Sequence, residues 1–515
     1  MKPVFPLRAC AQEEKKRFVP ALLFTFLLGF FAHGYQFFGM NLFHDGLHNA
    51  FPHPDYYLGA ALGRGLQYVY TRLFGSAVYL PLTNGLLSLL WIGLAVWAVC
   101  RLFRFEKLWQ IGFTAAVFVT NQTITAIAGT YPPYLSMFAF ALLCAALSAL
   151  CWGEFARSGK QWYLVPGAVL TAVSMGIYQS YLFTAVVLIM LSSVLALLEN
   201  DSFKAVFLRG LGGVVMLVFS GALYLFLTGL ICRITGTPLE TDGYNSLGNV
   251  AGNAEPLSER ITSCFTQFSD RFFKDIPSVY PEKLIVFLNA ALLVLTLVLL
   301  IAVIVRRKVT PLSLGLVILL LVLLPFAANG TRLINKEVHD LMEFAFYLVY
   351  LIPLMLLPLL PEISVKKVCT GLCGAALAVV MFSNIQTANL LYTMRAVEYD
   401  ANLSLMTRVA ERIETLEDYV PGETPVMFWG TPKNVLEPLP NQEKVLNILG
   451  GDILSPVTYY HTWEIYLERV LLRDVALYAP SELIISEEVQ DMPIFPAEGS
   501  VAMVDGTVIV KFMPV

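Results

Sequence analysis

Long, nearly unbroken apolar runs recur from one end of this chain almost to the other, and they limit its fold more than any other feature. A run of about 18 or more apolar residues is long enough to cross a bilayer as a helix and has no place in a water-soluble core. Eleven spans with soft edges can be read, at roughly 18–40, 77–100, 108–128, 132–152, 161–177, 180–198, 205–232, 284–305, 310–328, 341–360 and 366–389. Of 515 residues, 57% are hydrophobic and 14% charged, where ordinary soluble domains carry about 25% charged residues. The chain is therefore read as a polytopic α-helical membrane protein with about 11 transmembrane helices. A formal net charge of −4 and the lack of any long basic stretch leave no reason to expect a nucleic-acid partner.

Basic residues orient the spans. Lys15, Lys16 and Arg17 precede the first span, and Arg101, Arg104 and Lys107 separate the second from the third. Arg157 and Lys160 follow the fourth, Lys204 and Arg209 the sixth, Arg306, Arg307 and Lys308 the eighth, and Lys366 and Lys367 the tenth. All of them fall on one side, and the positive-inside rule makes that side the cytoplasm, with residues 1–17 cytoplasmic and the first span uncleaved. The first outer loop (41–76), a large outer loop (233–283) and the 329–340 loop then lie outside. The 161–199 stretch is too long for one crossing and is expected to turn outward at GIYQS (176–180). LGRGLQYVYTRLF reads as an amphipathic helix at the interface.

The 18–390 region is thus one transmembrane unit, and from about 391 the composition becomes soluble-like. A polar helical segment at 402–418, the strand-like PVMFWG, a helix near 462–472 and the hairpin VAMVDGTVIVKF, with Asp505-Gly506 at its turn, predict a small extracytoplasmic α/β domain over 391–515. The eight cysteines show no metal-binding spacing, and Cys232 with Cys264 is the one pair placed to meet outside as a disulfide. Asn121, Asn329 and Asn402 each begin a short glycosylation-acceptor pattern and fall outside.

The polar residues that demand an explanation lie in 41–65, NLFHDGLHNAFPHPDYYLGAALGRG, just past the first span. A carboxylate or guanidinium costs roughly 2.5–3.5 kcal/mol at the centre of a membrane helix on insertion scales, so a cluster at one face suggests a site there. Moving a sugar from a phosphate-linked lipid to a hydroxyl needs a base at the attacking oxygen and stabilisation of the departing phosphate. Asp45 is the candidate base, with a solvated Asp-Gly turn as the plain alternative. Asp55 is weighed between catalysis and capping the interfacial helix.

His44 and His48 share a face if helical, so a metal site with the aspartates is weighed, but Pro52 and Pro54 interrupt the segment and no cofactor is expected. Arg64, between two glycines, and Arg332 with Lys336, four residues apart, are the candidate phosphate ligands, set against snorkelling and ordinary surface charge. Tyr178 and Gln179, at the outer turn, either hold sugar hydroxyls or satisfy backbone groups. Arg260, Asp270, Arg271 and Lys274 fall on an interfacial helix that could line an acceptor groove.

FHDGLHNAF (43–51), LGRGLQYVYTRLFG (62–75), Pro81, TYPPYLSMFAFA (130–141) and GIYQSYL (176–182), in this order and membrane placement, resemble one family. It is the serotype-converting glucosyl transferase II family, bacterial glucosyltransferases that decorate O-antigen and related surface glycans. The similarity runs over roughly residues 20–390. It implies a GT-C-like fold and a polyprenyl-phosphate-glucose donor made on the cytoplasmic side and flipped. It also implies transfer to a cell-surface glycan outside the bacterial inner membrane, by a single inverting displacement, and a metal-independent reaction is the expectation adopted here. An acidic base in the first outer loop is part of that pattern, and Asp45 matches it by position. His44, His48, Asp55, Tyr178 and Gln179 would then contact substrate. The rival readings are a glycan polymerase and a flippase or transporter of lipid-linked sugars. A transporter should show interrupted helices or repeats at mid-membrane, whereas the ionisable residues here gather at one face.

Overall fold

A computed structural model describes residues 7–39, 45–50, 58–75, 79–240, 255–335, 338–362, 364–430, 441–445, 448, 465–477 and 486–513. The helices run, in chain order, α1 (Leu7–Phe37), α2 (Asp45–Ala50), α3 (Leu58–Ala61), α4 (Leu66–Phe74), α5 (Pro81–Leu102), α6 (Leu108–Val119), α7 (Gln122–Thr130), α8 (Leu135–Ser158) and α9 (Leu164–Ile177). They continue as α10 (Tyr181–Leu198), α11 (Phe203–Thr235), α12 (Leu257–Phe273), α13 (Glu282–Arg307), α14 (Pro311–Ala328), α15 (Gly330–Ile334), α16 (Leu351–Leu356) and α17 (Ser364–Glu414). Among the described residues, eight helices are long and apolar enough to cross a membrane: α1, α5, α8, α10, α11, α13, α14 and α17. α6 and α7 pass that test together as a pair bent by 41°, and two shorter apolar helices cover Gln161–Ile177 and Phe344–Leu359.

The bend has a local cause. Asn121 caps α7 by accepting from the Ile124 amide, while its own Nδ2 donates to the carbonyls of Val117 and Phe118 at the end of α6. One buried side chain thus satisfies donors of one helix and acceptors of the other, which lets the chain turn without stranding backbone groups. In the core, the His33 Nε2–H donates to the Val119 carbonyl, leaving Nδ1 to accept from the Tyr392 hydroxyl. This ties α1, α6 and α17 together.

The basic groups named from sequence meet at one end of the bundle. Arg17 pairs with Glu106, Arg101 with Glu154, Arg104 with Glu199 and Lys107 with Glu362. Arg157 donates to the Leu102 carbonyl, Asn200 to the Arg307 carbonyl and Lys366 to the Leu360 carbonyl. The break at 178–180, between α9 and α10, falls at the opposite end, where the sequence places a turn.

The small sheet near the C-terminus has strand order β2-β1-β4-β3, with β1 (Pro425–Trp429), β2 (Ala476–Leu477), β3 (Val501–Val504) and β4 (Thr507–Lys511). β1 runs parallel to both β2 and β4, and β3 pairs antiparallel with β4. Asp505 and Gly506 both take positive φ at that turn, as the hairpin requires. The helix expected over 402–418 is there, as far as Glu414. It continues α17, a single helix of 51 residues, because no Gly or Pro falls between 375 and 414 to stop it. The expected boundary near 391 lies inside that helix. The helix read near 462–472 is a short π-helical turn, Ile465–Val470.

Cys232 and Cys264 are free thiols, and the Cys264 thiol donates instead to the Asn329 carbonyl. Asn121, Asn329 and Asn402 are all buried, so none is presented for glycosylation.

Candidate functional site

Four segments far apart in sequence converge at the end of the bundle opposite the basic groups. The first is α2, which opens with Asp45. Its Gly46 packs so closely on the α7–α8 junction that a Cβ there would lie 2.8 Å from the Thr130 carbonyl oxygen and 2.9 Å from Pro132 Cδ. Pro132 is itself held by Asn84, whose Nδ2 donates to its carbonyl at 2.5 Å. On its other side, α2 contributes Leu47 and Ala50 to a buried cluster with Leu405, Met406 and Val409 of α17 and Val426, Val508 and Phe512 of the terminal domain. Tyr79, in the same cluster, donates its amide to the Ala50 carbonyl. A six-residue helix has little stability of its own, so this two-sided packing is what fixes α2.

From the α7–α8 junction a row of aromatic rings leads away. Tyr134 stacks on Phe138 with centroids 5.8 Å apart, and Phe138 stacks on Tyr178 at 4.5 Å. The Arg64 guanidinium lies over the Tyr178 ring, 4.9 Å from its centroid. Its Nε donates to Gln179 Oε1 at 3.2 Å. The Gln179 amide nitrogen donates to the Leu62 carbonyl (3.0 Å) and to the Tyr224 hydroxyl (3.2 Å). Gln67 Nε2 donates to the Ile177 carbonyl at the end of α9. Every polar atom of the Gln179 side chain is therefore engaged within the protein. Among the described residues Arg64 makes no ion pair, so its remaining guanidinium nitrogens carry a charge no carboxylate has neutralised.

Arg64, Tyr178 and Gln179 are thus brought together as a unit, and Gln179 acts by holding Arg64. Arg332 goes elsewhere. Its Nη1 pairs with Glu255 at 2.8 Å and donates to the Asn335 carbonyl, and it lines a separate cavity of about 570 Å³ beside α12. Behind that cavity Arg271 bonds Asp340 (2.5 Å), Glu343 (2.6 Å) and Gln122 (3.1 Å). Gln267 donates to the other oxygen of Glu343, and the Tyr347 hydroxyl donates to Gln122. Glu343 is buried, and Arg271 is its counter-ion.

His44, Asp55 and Lys336 lie outside the described residues, as do the side chains of Asp45 and His48. Sequence reasoning missed Tyr224, Gln67 and Gln122. Tyr224 lies between Ser220 and Thr228, four residues either side in α11, a hydroxyl-bearing row that the apolar composition of the span hides. Gln122 sits in the polar tetrad TNQT of an apolar span, which is a signal.

The family described as Glucosyl transferase GtrII matches residues 34–358, a stretch that takes in all these segments. No curated protein matches the chain.

Proposed function

The chain belongs to the glucosyl transferase GtrII family and is a membrane glycosyltransferase, and from that premise we propose that it moves glucose from a polyprenyl-phosphate donor to a glycan outside the cell. In this reading the acceptor hydroxyl oxygen attacks the anomeric carbon while the carbon–oxygen bond to phosphate breaks. The hydroxyl proton passes to Asp45, and the phosphate leaves with the bonding electron pair and is met by Arg64. Configuration inverts in a single displacement, and no metal takes part.

The observation that carries this reading is Arg64, which makes no ion pair among the described residues and is clamped over Tyr178 at the same end of the bundle as the helix of Asp45. A guanidinium prepositioned where negative charge develops stabilises the transition state without reorganising. We assign the phosphate to Arg64 in preference to Arg332, because Glu255 already neutralises Arg332. Lys336 remains a second phosphate candidate on sequence grounds, and His44, His48 and Asp55 remain candidates for the sugar. The further reading is a GT-C-like bundle in the bacterial inner membrane, in which the bent pair and the two short apolar helices also cross, making eleven spans. The N-terminus is then cytoplasmic and the terminal domain extracytoplasmic.

The test is Asp45→Asn in the purified full-length protein, given lipid-linked glucose and the native glycan. A positioned general base contributes about 10²–10⁴-fold, so transfer should fall by that order with expression unchanged. Transfer at the wild-type rate would remove Asp45 from the mechanism.

A further inference from the structure

α12 turns one polar face toward the separate cavity. Ser263, Thr266, Gln267, Asp270, Arg271 and Lys274 recur at the spacing of successive helical turns and all line it. The opposite wall comes from Arg332, Val338 and His339. The volume, about 570 Å³, is that of a ligand cleft, which typically holds about 300–1,000 Å³. Nothing in the glucosyl-transfer chemistry above uses it.

The charge arrangement says what kind of ligand fits. The three cations on the lining already face carboxylates: Arg271 faces Asp340 and Glu343, Arg332 faces Glu255, and Lys274 lies 3.6 Å from Asp275. Among the described residues Asp270 has no cation within ion-pair distance, and it is exposed to the cavity. A phosphate entering here would meet neutralised cations and one uncompensated carboxylate. A neutral polyol would meet the opposite: a carboxylate to accept its hydroxyls, with the Ser263 and Thr266 hydroxyls to donate or accept in turn. The back wall is rigid, since Gln267 is committed to Val338, Glu343 and Asn329, and Arg271 to its two carboxylates. A preformed polar wall of this kind binds hydroxyls without ordering its own side chains first.

We propose that this cavity binds a neutral, hydroxyl-rich saccharide segment: the part of the acceptor glycan flanking the residue that receives glucose. The proposal rests on the glucosyl-transfer reading for the word acceptor, but the binding itself does not need it. The cavity is then the enzyme's acceptor-selecting surface, distinct from the Arg64 site that receives phosphate.

The test presents full-length protein in lipid nanodiscs to an array of neutral bacterial oligosaccharides, with inorganic phosphate as the anionic competitor. Wild type should bind at least one neutral glycan, and Thr266→Ala/Asp270→Asn should weaken that binding by about tenfold or more. Ser263→Ala, a smaller change on the same face, should weaken it less, and phosphate should not compete. No binding to any neutral glycan, equal binding by the variants, or displacement by phosphate would each overturn the proposal. Asp45→Asn separates the two readings: it should cut transfer by about 10²–10⁴-fold and leave glycan binding intact. Glycan binding by a protein that transfers from no lipid-linked donor would keep the cavity and sink the glucosyl-transfer mechanism. Transfer with the acceptor KM unmoved in the cavity variants would do the reverse.

Discussion

Arg64 is held by geometry that lysine cannot reproduce, because its Nε bonds Gln179 while its planar head covers the Tyr178 ring. Replacing it by alanine should lower kcat/KM for the lipid-linked donor by roughly 10- to 100-fold, as expected for a hydrogen-bonded charge worth about 1.5–3 kcal/mol. Arg64→Lys should recover only part of that loss in steady-state assays. Gln179→Leu removes the anchor and keeps the cation, so kcat should drop while donor KM moves less. Arg64 stood out in the sequence by its setting between two glycines. Its partners were not, since Gln179 lies 115 residues away and reads equally well as a sugar ligand until its amide is seen bonded to Leu62 and Tyr224.

At the scale of elements, α2 sits where only glycine fits. A Cβ at position 46 would strike the Thr130 carbonyl, and backbone does not yield as a side-chain end would. Gly46→Val should therefore push α2 off the α7–α8 junction and cut turnover sharply in a protein that still folds, while Gly46→Ala should do so less. Circular dichroism and turnover measured on the same samples would check this. α12 offers a stability test through Arg271. Arg271→Ala leaves the buried Glu343 without its cation, which typically costs about 3–5 kcal/mol.

Thermal unfolding of Arg271→Ala beside wild type should show that loss as a lower Tm. Hydropathy located most of the apolar helices, because transfer out of water dominates there. The polar pattern also gave the helix at 402–418, present to Glu414, but not that it runs on unbroken from the last apolar span.

Across the whole molecule, the terminal domain packs against the segment that carries Asp45. Leu47, Ala50 and Tyr79 share a buried cluster with α17 and the sheet. Deleting residues 415–515 should uncover these groups, loosen α2 and abolish glucose transfer both to glycan and to water. A domain that only recruited acceptor would leave transfer to water intact, so donor hydrolysis by the truncated protein decides between the two. Position 391, where the composition changes, falls inside one continuous helix. At 1.5 Å per residue the 51 residues of α17 make a rod about 76 Å long. It works as a mast stepped at the basic end of the bundle, with its top inside the terminal domain. A lean of about 5° at the foot would swing the top by about 7 Å on a rod of that length. Lipid thickness or a neighbouring protein pressing on the buried part of the mast would thus be felt as a displacement at the reaction centre.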